Sequence, residues 1–212
     1  MDFFHVLNRG VEKRKIVLDD RDRGRFIHDL WTFNDANASL NFLHHARYEQ
    51  LAKRTPLVFI HAFCLMGNHY HLLLSERVER GISLFMQKLN MGYTKYFNEK
   101  YERVGTLWQG KYKKIAIERD AHFNYIPYYI HLNPLDLSFP EWREGNVKNP
   151  KKALALLRDY RWSSHLDYLG IKNFPSVTER SEILHLKPSA YERELISIIS
   201  TPEIATASAK IE

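Results

Sequence analysis

The sequence contains a single cysteine, Cys64, among its 212 residues. One thiol can build neither a disulfide framework nor a cysteine-rich zinc site, and such scarcity fits a reducing compartment. It also excludes the zinc deaminases, whose pattern combines His-x-Glu with a later Pro-Cys-x-x-Cys. The pair of His-x-Ser/Thr motifs that two-histidine phosphoesterases use is missing as well. These absences remove several common kinds of metal and nucleophile site.

Long apolar runs are also missing. The longest nearly apolar stretch, PLVFIHAFCLM, is too short to span a membrane. The first residues, MDFFHVLNRG, have an acidic second residue and lack the apolar core of a signal peptide. The sequence therefore predicts a cytoplasmic protein with no membrane partner.

Positive charge, in contrast, is present and unevenly distributed. The net charge is +6 and the pI is near 9.3. All of the excess lies in residues 77–119, where ten Lys and Arg residues are interleaved with four Glu residues and several aromatic residues. Such a segment suits a polyanion, above all a nucleic acid with unpaired bases. A solvated helix face above core aromatics has the same composition, and this alternative stays open.

Hydrophobic periodicity predicts the order β-α-β-β-α-β followed by a further helix. Helices are expected after the acidic start LDDRDRG, over residues 82–100 with their i, i+3, i+4 apolar spacing, and over Asp120–Asn133. Strands are expected for FFHVLNRG, LVFIHAFCLM, HYHLLLS and KYKKIAIE, with a tight Gly-Asn turn between the second and third. This order predicts an α+β fold, with a ferredoxin-like (split β-α-β) antiparallel sheet that carries helices on one face.

Composition divides the chain into three parts. Residues 1–140 hold the predicted sheet domain, residues 141–195 form a small C-terminal helical extension, and residues 196–212 have little to bury and are expected to be a flexible tail. In such a sheet the strand HYHLLLS lies near the middle. The helix Asp120–Asn133 is expected to cover the open face of that strand.

Two histidines, His69 and His71, begin the strand HYHLLLS. Residues i and i+2 of a strand point to the same face, so the two imidazoles emerge side by side. The pair suits a metal or phosphate site, whereas a satisfied core or surface role is the ordinary alternative. Two imidazoles are an incomplete metal shell, so a metal site needs a third ligand.

A third ligand is available in the stretch PYYIHLNPLD. Tyr129 and Asn133 are four residues apart, which places them on one side of a helix. Pro134 ends the helix near Asn133, so the Asn133 amide either caps the helix end or completes a metal shell. Both interpretations stay open. In the second, the Tyr129 phenol stands one turn from the metal, where it can attack a phosphodiester.

With these residues, the chain resembles the single-tyrosine HUH transposases, and more narrowly their REP-associated tyrosine transposase branch. His69-Tyr70-His71 matches the His-hydrophobic-His signature. The resemblance covers residues 3–170 and rests on five stretches in order: LNRGVEKRKIVLDDRDRGRFI, AFCLMGNHYHLLL, GTLWQGKYK, YIHLNP and DYRWSSHLDYLG.

The resemblance implies a metal-dependent endonuclease and strand transferase that cuts single-stranded DNA at hairpins flanked by a short recognition tetranucleotide. His69, His71 and Asn133 would hold Mg²⁺ or Mn²⁺ at the scissile phosphate, although two imidazoles alone would also admit Zn²⁺. Tyr129 would attack that phosphate and leave a 5′-phosphotyrosine and a free 3′-hydroxyl. The covalent link conserves the bond energy, and no P-loop for ATP appears in the sequence.

The DNA partner is expected to meet a set of basic, polar and aromatic side chains. For Trp108, packing under a turn is the alternative to lining a DNA groove. The protein is expected to be a monomer or homodimer associated with the bacterial nucleoid. The expected DNA contacts are Arg9, Arg14, Lys88, Lys95, Trp108, Gln109, Lys111, Lys113 and Lys114.

The nucleophile is not unique by composition, because Tyr125 and Tyr128 lie close by. Tyr129 is preferred since it has Asn133 four residues later and matches the family position. Pro127 is expected to kink this helix. The second function class is a hairpin-binding protein of the same fold that does not cut. Retention of both histidines, the tyrosine and the asparagine favours the enzyme.

Overall fold

The computed structural model describes residues 1–37, 54–118, 120–180, 183 and 187–203. The strands of this part are β1 (Phe3–Arg9), β2 (Val58–Leu65), β3 (His69–Glu76) and β4 (Lys113–Ala116). They form one sheet in the order β2-β3-β1-β4, and each neighbouring pair is antiparallel. The predicted ferredoxin-like α+β sheet is confirmed, and β3 with its histidines has an inner position.

Six α-helices accompany the sheet in the described ranges. Asp19 begins the first helix with a capping box: its carboxylate accepts from the Asp22 N–H, and the Asp22 side chain bonds the Asp19 N–H in return. None of these helices is both long and apolar enough to cross a membrane. The helices are α1 (Asp20–Thr32), α2 (Gly81–Lys100), α3 (Asp120–Leu132), α4 (Pro150–Asp159), α5 (His165–Tyr168) and α6 (Pro188–Ser200).

The sheet has a hydrophobic core on each face. Side chains alternate along a strand, so Tyr70, Leu72 and Leu74 of β3 point into the core formed with α1 and α2. Leu73 points the other way, into a second core that contains residues of α3, α4 and α6. Helix α3 therefore covers the open face of the histidine strand, as expected, and the C-terminal extension completes that second layer.

Backbone contacts join the extension to β2. The Ser164 N–H donates to the Phe63 carbonyl at 3.0 Å, and the Leu65 N–H donates to the Trp162 carbonyl at 3.0 Å. The Tyr168 hydroxyl donates to the carbonyl of His61 at 2.9 Å. These bonds pair buried backbone groups of β2 with groups of the extension. The extension is therefore packed against the sheet as part of the same core.

The expected tail starts later than the sequence suggests. Residues 196–200 are the last part of α6, and Ile198 and Ile199 are buried in the second core. Three apolar residues at helical spacing, Leu195, Ile198 and Ile199, give this segment something to bury. Residues 204–212 lie outside the described part of the chain.

The packing of α2 on α1 generates a prediction about Gly92. A Cβ added there would lie 2.3 Å from Cζ of Phe33, and Phe33 is fully buried. We expect Gly92→Ala to lower the free energy of unfolding by about 1–3 kcal/mol through overpacking, despite the ~1 kcal/mol helix preference for Ala. Urea denaturation measures the change.

Gly24 in α1 is the matched control, because nothing lies within 4 Å of its added Cβ. Gly24→Ala should raise the free energy of unfolding by up to about 1 kcal/mol. A Gly92→Ala protein that gains as much stability as Gly24→Ala would contradict the close approach of Phe33.

Candidate active site

The predicted histidine pair lies on the face of β3 that α3 covers. The ring centroids of His69 and His71 are 5.0 Å apart, with an interplanar angle of 86°. His71 is buried and His69 is half-buried. Burial lowers the pKa of His71 well below its usual range, and the neighbouring His5, His69, Arg143 and Arg9 lower it further. His71 is therefore neutral, which is the form that binds metals.

A third histidine, His5 of β1, contacts His71. Its Nε2 lies 2.9 Å from Nδ1 of His71, and the two rings stack with centroids 5.1 Å apart. In the same way, Nδ1 of His69 donates to Oδ1 of Asn68 at 2.7 Å. Such contacts through Nδ1 orient an imidazole and fix its tautomer. Sequence reasoning missed His5, since only the register of β1 against β3 shows that it reaches His71.

Helix α3 places Tyr129 directly over these histidines. The centroid of its ring is 5.8 Å from His5 and 5.8 Å from His71, in edge-to-face geometry. Tyr129 is 4% exposed. The helix continues across Pro127 to Leu132. The fold thus brings Tyr129 against His71, one member of the predicted pair, and against His5.

The neighbouring tyrosine faces a different part of the molecule. Consecutive helix residues are rotated by about 100°, and Tyr128 accordingly stacks on Tyr191 of α6, with centroids 5.2 Å apart. Burial raises the pKa of Tyr128 to about 12, and Glu194 adds to the effect. Tyr125 lies one turn earlier, with its ring 6.3 Å from that of Tyr129. Tyr129 is the one whose ring contacts both His5 and His71 in the described structure.

Asn133 follows the last residue of α3 and is fully buried. Its Nδ2 donates to the carbonyl of Tyr129 at 2.8 Å, so the capping interpretation describes what this amide does here. Its Oδ1 accepts from Nη2 of Arg143 at 3.4 Å, a long hydrogen bond. The role of Asn133 as a metal ligand stays a prediction.

Arg143, on the 3-10 helix Pro140–Glu144, reaches the tyrosine hydroxyl. Its Nη1 donates to the Tyr129 hydroxyl at 3.2 Å. Two further bonds run to Asp136, from Nε to Oδ1 at 3.0 Å and from Nη2 to Oδ2 at 2.8 Å. Burial lowers the pKa of Arg143, but the bonds to Asp136 and Tyr129 outweigh it and raise the pKa. No periodicity marks an arginine in such a short 3-10 helix, so sequence reasoning had no signal for Arg143.

A groove runs beside the histidines. Arg9 is paired with His69, while Leu7 is paired with His71 on one side and with Lys113 on the other. Directly paired residues point to the same face of a sheet, so Arg9 and Lys113 lie on the histidine face. Four of the nine predicted DNA contacts are in this groove, which is lined by Leu7, Asn8, Arg9, Gln109, Gly110, Lys111 and Lys113.

Trp108 and Lys114 lie outside the groove. Trp108 is 6% exposed, and its indole N–H donates to the Asn90 carbonyl at 3.0 Å, so it packs under the turn. Lys114 points to the opposite face from Lys113, with Nζ 3.6 Å from Oε1 of Glu76. For Trp108, packing in the core overrides the exposed position that base stacking requires.

Lys88, Lys95 and Arg14 are also elsewhere. Lys88 donates to the carbonyls of Asp35 and Ala36 at 2.7 and 3.0 Å, and Lys95 is an exposed residue of the same helix. That helix, α2, covers the sheet face opposite the histidines. Arg14 lies in the loop after β1, 3.9 Å from Glu12. The clustering of basic residues in residues 77–119 hides this separation, because the cluster spans both faces of the sheet.

A metal site, if built here, must use mixed ligands. No group of three or more His, Cys, Asp or Glu side chains within the described ranges could hold a metal ion. The predicted set is of another kind, with two imidazoles and one amide oxygen. Neutral imidazole nitrogen and amide oxygen are both donors that divalent cations accept. The donor chemistry therefore fits a divalent cation, with two protein nitrogens and one oxygen.

Comparisons with known proteins found one similar family and a similar solved structure. The profile of the family described as "Transposase IS200 like" matches residues 42–133. The fold is similar to a solved structure described as "Structure of the REP associates tyrosine transposase bound to a REP hairpin", with a TM-score of 0.47 and 13% identity over 87% of this chain and 92% of that one. No curated protein matches the chain. The resemblance to the IS200-like, single-tyrosine transposases is confirmed over residues 42–133, the stretch that holds His69, His71, Tyr129 and Asn133.

Proposed function

We propose that the protein is a metal-dependent endonuclease and strand transferase that cuts single-stranded DNA at hairpins through a 5′-phosphotyrosine intermediate. The observation that carries the proposal is the position of the Tyr129 ring, 5.8 Å from that of His71. His71 is paired with Leu7, which lines a groove together with Arg9 and Lys113. A nucleophile, a candidate cation site and a basic track thus meet at one place.

Tyr129 supplies the nucleophile. Its phenol oxygen forms a bond to the scissile phosphorus while the bond from that phosphorus to the 3′ oxygen breaks. The phenol loses its proton, and the departing 3′ oxygen takes up one. Since the phosphate remains an ester, the 3′-hydroxyl can later attack the link and rejoin the strands without ATP.

His69, His71 and Asn133 would hold the divalent cation, Mg²⁺ or Mn²⁺. When bound, the cation would polarise the scissile phosphate and offset its developing charge. Contacts through Nδ1 hold both imidazoles, from Asn68 to His69 and from His5 to His71. Nε2 of each ring would then be the ligating atom.

The DNA backbone would follow the groove beside the histidines. Arg9 and Lys113 flank His69 and His71 across the sheet, and both side chains are exposed. Lys and Arg bind phosphates with little dependence on base sequence. The hairpin partner is inferred from the family resemblance.

The first prediction for the proposed function concerns the nucleophile. We expect Tyr129→Phe to abolish a detergent-resistant protein–DNA adduct while hairpin binding persists, because one hydroxyl is removed. Tyr128→Phe is the matched control and should form the adduct at the wild-type rate, since Tyr128 faces Tyr191. Denaturing gel electrophoresis of the protein with hairpin oligonucleotides from the gene's flanks, labelled 3′ of the cut, measures both.

An adduct that survives in Tyr129→Phe and disappears in Tyr128→Phe would move the nucleophile by one residue. If the wild-type protein binds the hairpins tightly and forms no adduct with any of them in Mn²⁺, the cleavage proposal fails. Hairpin binding without cutting would then be the function.

The second prediction concerns the cation. We expect His69→Ala and His71→Ala each to weaken Mn²⁺ binding by about 10-fold or more. Mutation of a residue that only orients a metal ligand already costs about 10–100-fold in affinity, and loss of the ligand itself should cost at least as much. Electron paramagnetic resonance of unbound Mn²⁺ gives the affinity without DNA or turnover. His28→Ala is the control, because His28 lies on α1 with an exposed side chain. Wild-type affinity in both site variants would refute the cation site.

The third prediction concerns the groove. Lys113→Ala should weaken hairpin binding and reduce the slope of log K against log salt by about 0.7–0.9, the contribution of one phosphate contact. Lys114→Ala is a close match in sequence, but its side chain lies on the other face beside Glu76. It should leave the slope unchanged. Equal slopes for the two variants would place the DNA elsewhere.

A further inference from the structure

Arg143 contacts three groups around the candidate site, namely Asp136, Tyr129 and Asn133. Nε and Nη2 bond to the two carboxylate oxygens of Asp136. Nη1 donates to the Tyr129 hydroxyl at 3.2 Å, and Nη2 also reaches Oδ1 of Asn133 at 3.4 Å. The guanidinium therefore links the candidate nucleophile to the candidate ligand Asn133.

The orientation of Arg143 is fixed from the side away from the tyrosine. The Asp136 carboxylate accepts hydrogen bonds from Nε and Nη2 of Arg143. The indole N–H of Trp142 in turn donates to Oδ1 of Asp136 at 2.7 Å. The guanidinium also lies over the Trp142 ring, 4.7 Å from its centroid. A planar cation held along one edge presents its other edge in a defined direction. For Arg143 that edge is Nη1, at the Tyr129 hydroxyl.

A count of hydrogens shows what Nη1 can still do. A guanidinium has five N–H donors, and the described contacts of Arg143 use four of them. The fifth is the second hydrogen of Nη1, beside the tyrosine oxygen. Any group that bonds to that oxygen comes within reach of this donor.

Solvent exposure also places Arg143 on the approach to the Tyr129 hydroxyl. Tyr129 is 4% exposed, whereas the Arg143 side chain is 37% exposed. A phosphate that approaches the Tyr129 hydroxyl from solvent therefore meets a guanidinium. Arg–phosphate contacts are charge-assisted and often bidentate.

We propose that Arg143 binds the scissile phosphate through Nη1 and holds the Tyr129 hydroxyl beside it, which makes Arg143 a catalytic residue. This inference rests on the proposed function. As the tyrosine oxygen bonds to phosphorus, negative charge grows on the non-bridging oxygens, and a guanidinium already in place stabilises that charge. The Nη1 donors pass from the hydroxyl to the phosphate of the phosphotyrosine. Asp136 is a positioning residue in this arrangement.

A prediction about Arg143 is tested with the whole chain, a hairpin oligonucleotide from the gene's flanks and Mn²⁺. We expect Arg143→Ala to slow adduct formation by about 100-fold, as loss of one preorganised donor does, and to weaken hairpin affinity far less. Added guanidinium at millimolar concentration should restore part of the rate, which a purely structural defect would not allow. Arg143→Lys should fall between the two, since an ammonium keeps the charge without the fork.

Arg158→Ala is the control for loss of a positive charge. Arg158 pairs with Glu192 on the extension, outside the groove and the tyrosine site. Its removal should change neither the rate nor the guanidinium response. Thermal melts of every variant confirm folding, and Arg143→Gln replaces Arg143→Ala if the alanine protein does not fold.

A binding experiment separates this inference from the proposed function. In EDTA, binding affinity is measured for a series of hairpins, in each of which a neutral methylphosphonate replaces one phosphate linkage. The wild-type protein should lose affinity at one linkage, and Arg143→Ala should show no loss there. If wild type forms the adduct and Arg143→Ala matches its rate, the inference is wrong and the proposed function stands.

If wild type forms no adduct, the proposed function fails, and the methylphosphonate scan still decides whether Arg143 binds a phosphate. A scan that is identical for wild type and Arg143→Ala overturns the inference in either case. A loss of affinity confined to the wild type, at one linkage, supports it.

Discussion

The antiparallel pairing of β1 with β3 determines which side chains meet at the site. In its register Leu7 lies opposite His71 and Arg9 lies opposite His69. Because side chains alternate along a strand, a slip of one residue would turn all of them to the other face. The register is held in place by the opposite face, where Tyr70, Leu72 and Leu74 are buried under α1 and α2. A hydrophobic core on one side of the sheet therefore fixes a polar constellation on the other.

Packing in the second core fixes the orientation of the tyrosine. Ile126 and Ile130 of α3 are fully buried, and they pack in a cluster with residues of α4 and α6. Burial of these side chains sets the rotation of α3, and that rotation turns Tyr129 toward His71 and Tyr128 toward Tyr191. The choice between two adjacent tyrosines is thus made by packing, through a difference of about 100° around the helix axis.

Periodicity predicted most of the fold and part of the site. The strands, α2 and α3 carry clear spacing signals. The histidine pair is indicated by its i, i+2 spacing on a strand, whereas Tyr129 is indicated by its distance of four residues from Asn133 and by the family resemblance. Lys113 and Lys114 are equal in composition, but they point to opposite faces of β4, and Lys114 lies beside Glu76. Trp108 is buried and is therefore not part of the groove. His5 and Arg143 are absent from the sequence predictions for a common reason. Each acts through a contact over many residues, 66 positions to His71 and 14 to Tyr129, and no local pattern encodes such a contact.

Burial of Tyr129 has a consequence that distinguishes strand transfer from hydrolysis. A transferase must keep its phosphotyrosine until a 3′-hydroxyl returns, and water is the competing nucleophile. Exclusion of water is one way in which an enclosed site prevents hydrolysis of a reactive intermediate. Tyr129 is 4% exposed, with Trp142 and Arg143 against its ring. In the proposed reaction, the groups that hold the hydroxyl would also shield the phosphotyrosine from water, so one arrangement would serve both attack on the phosphate and retention of the link.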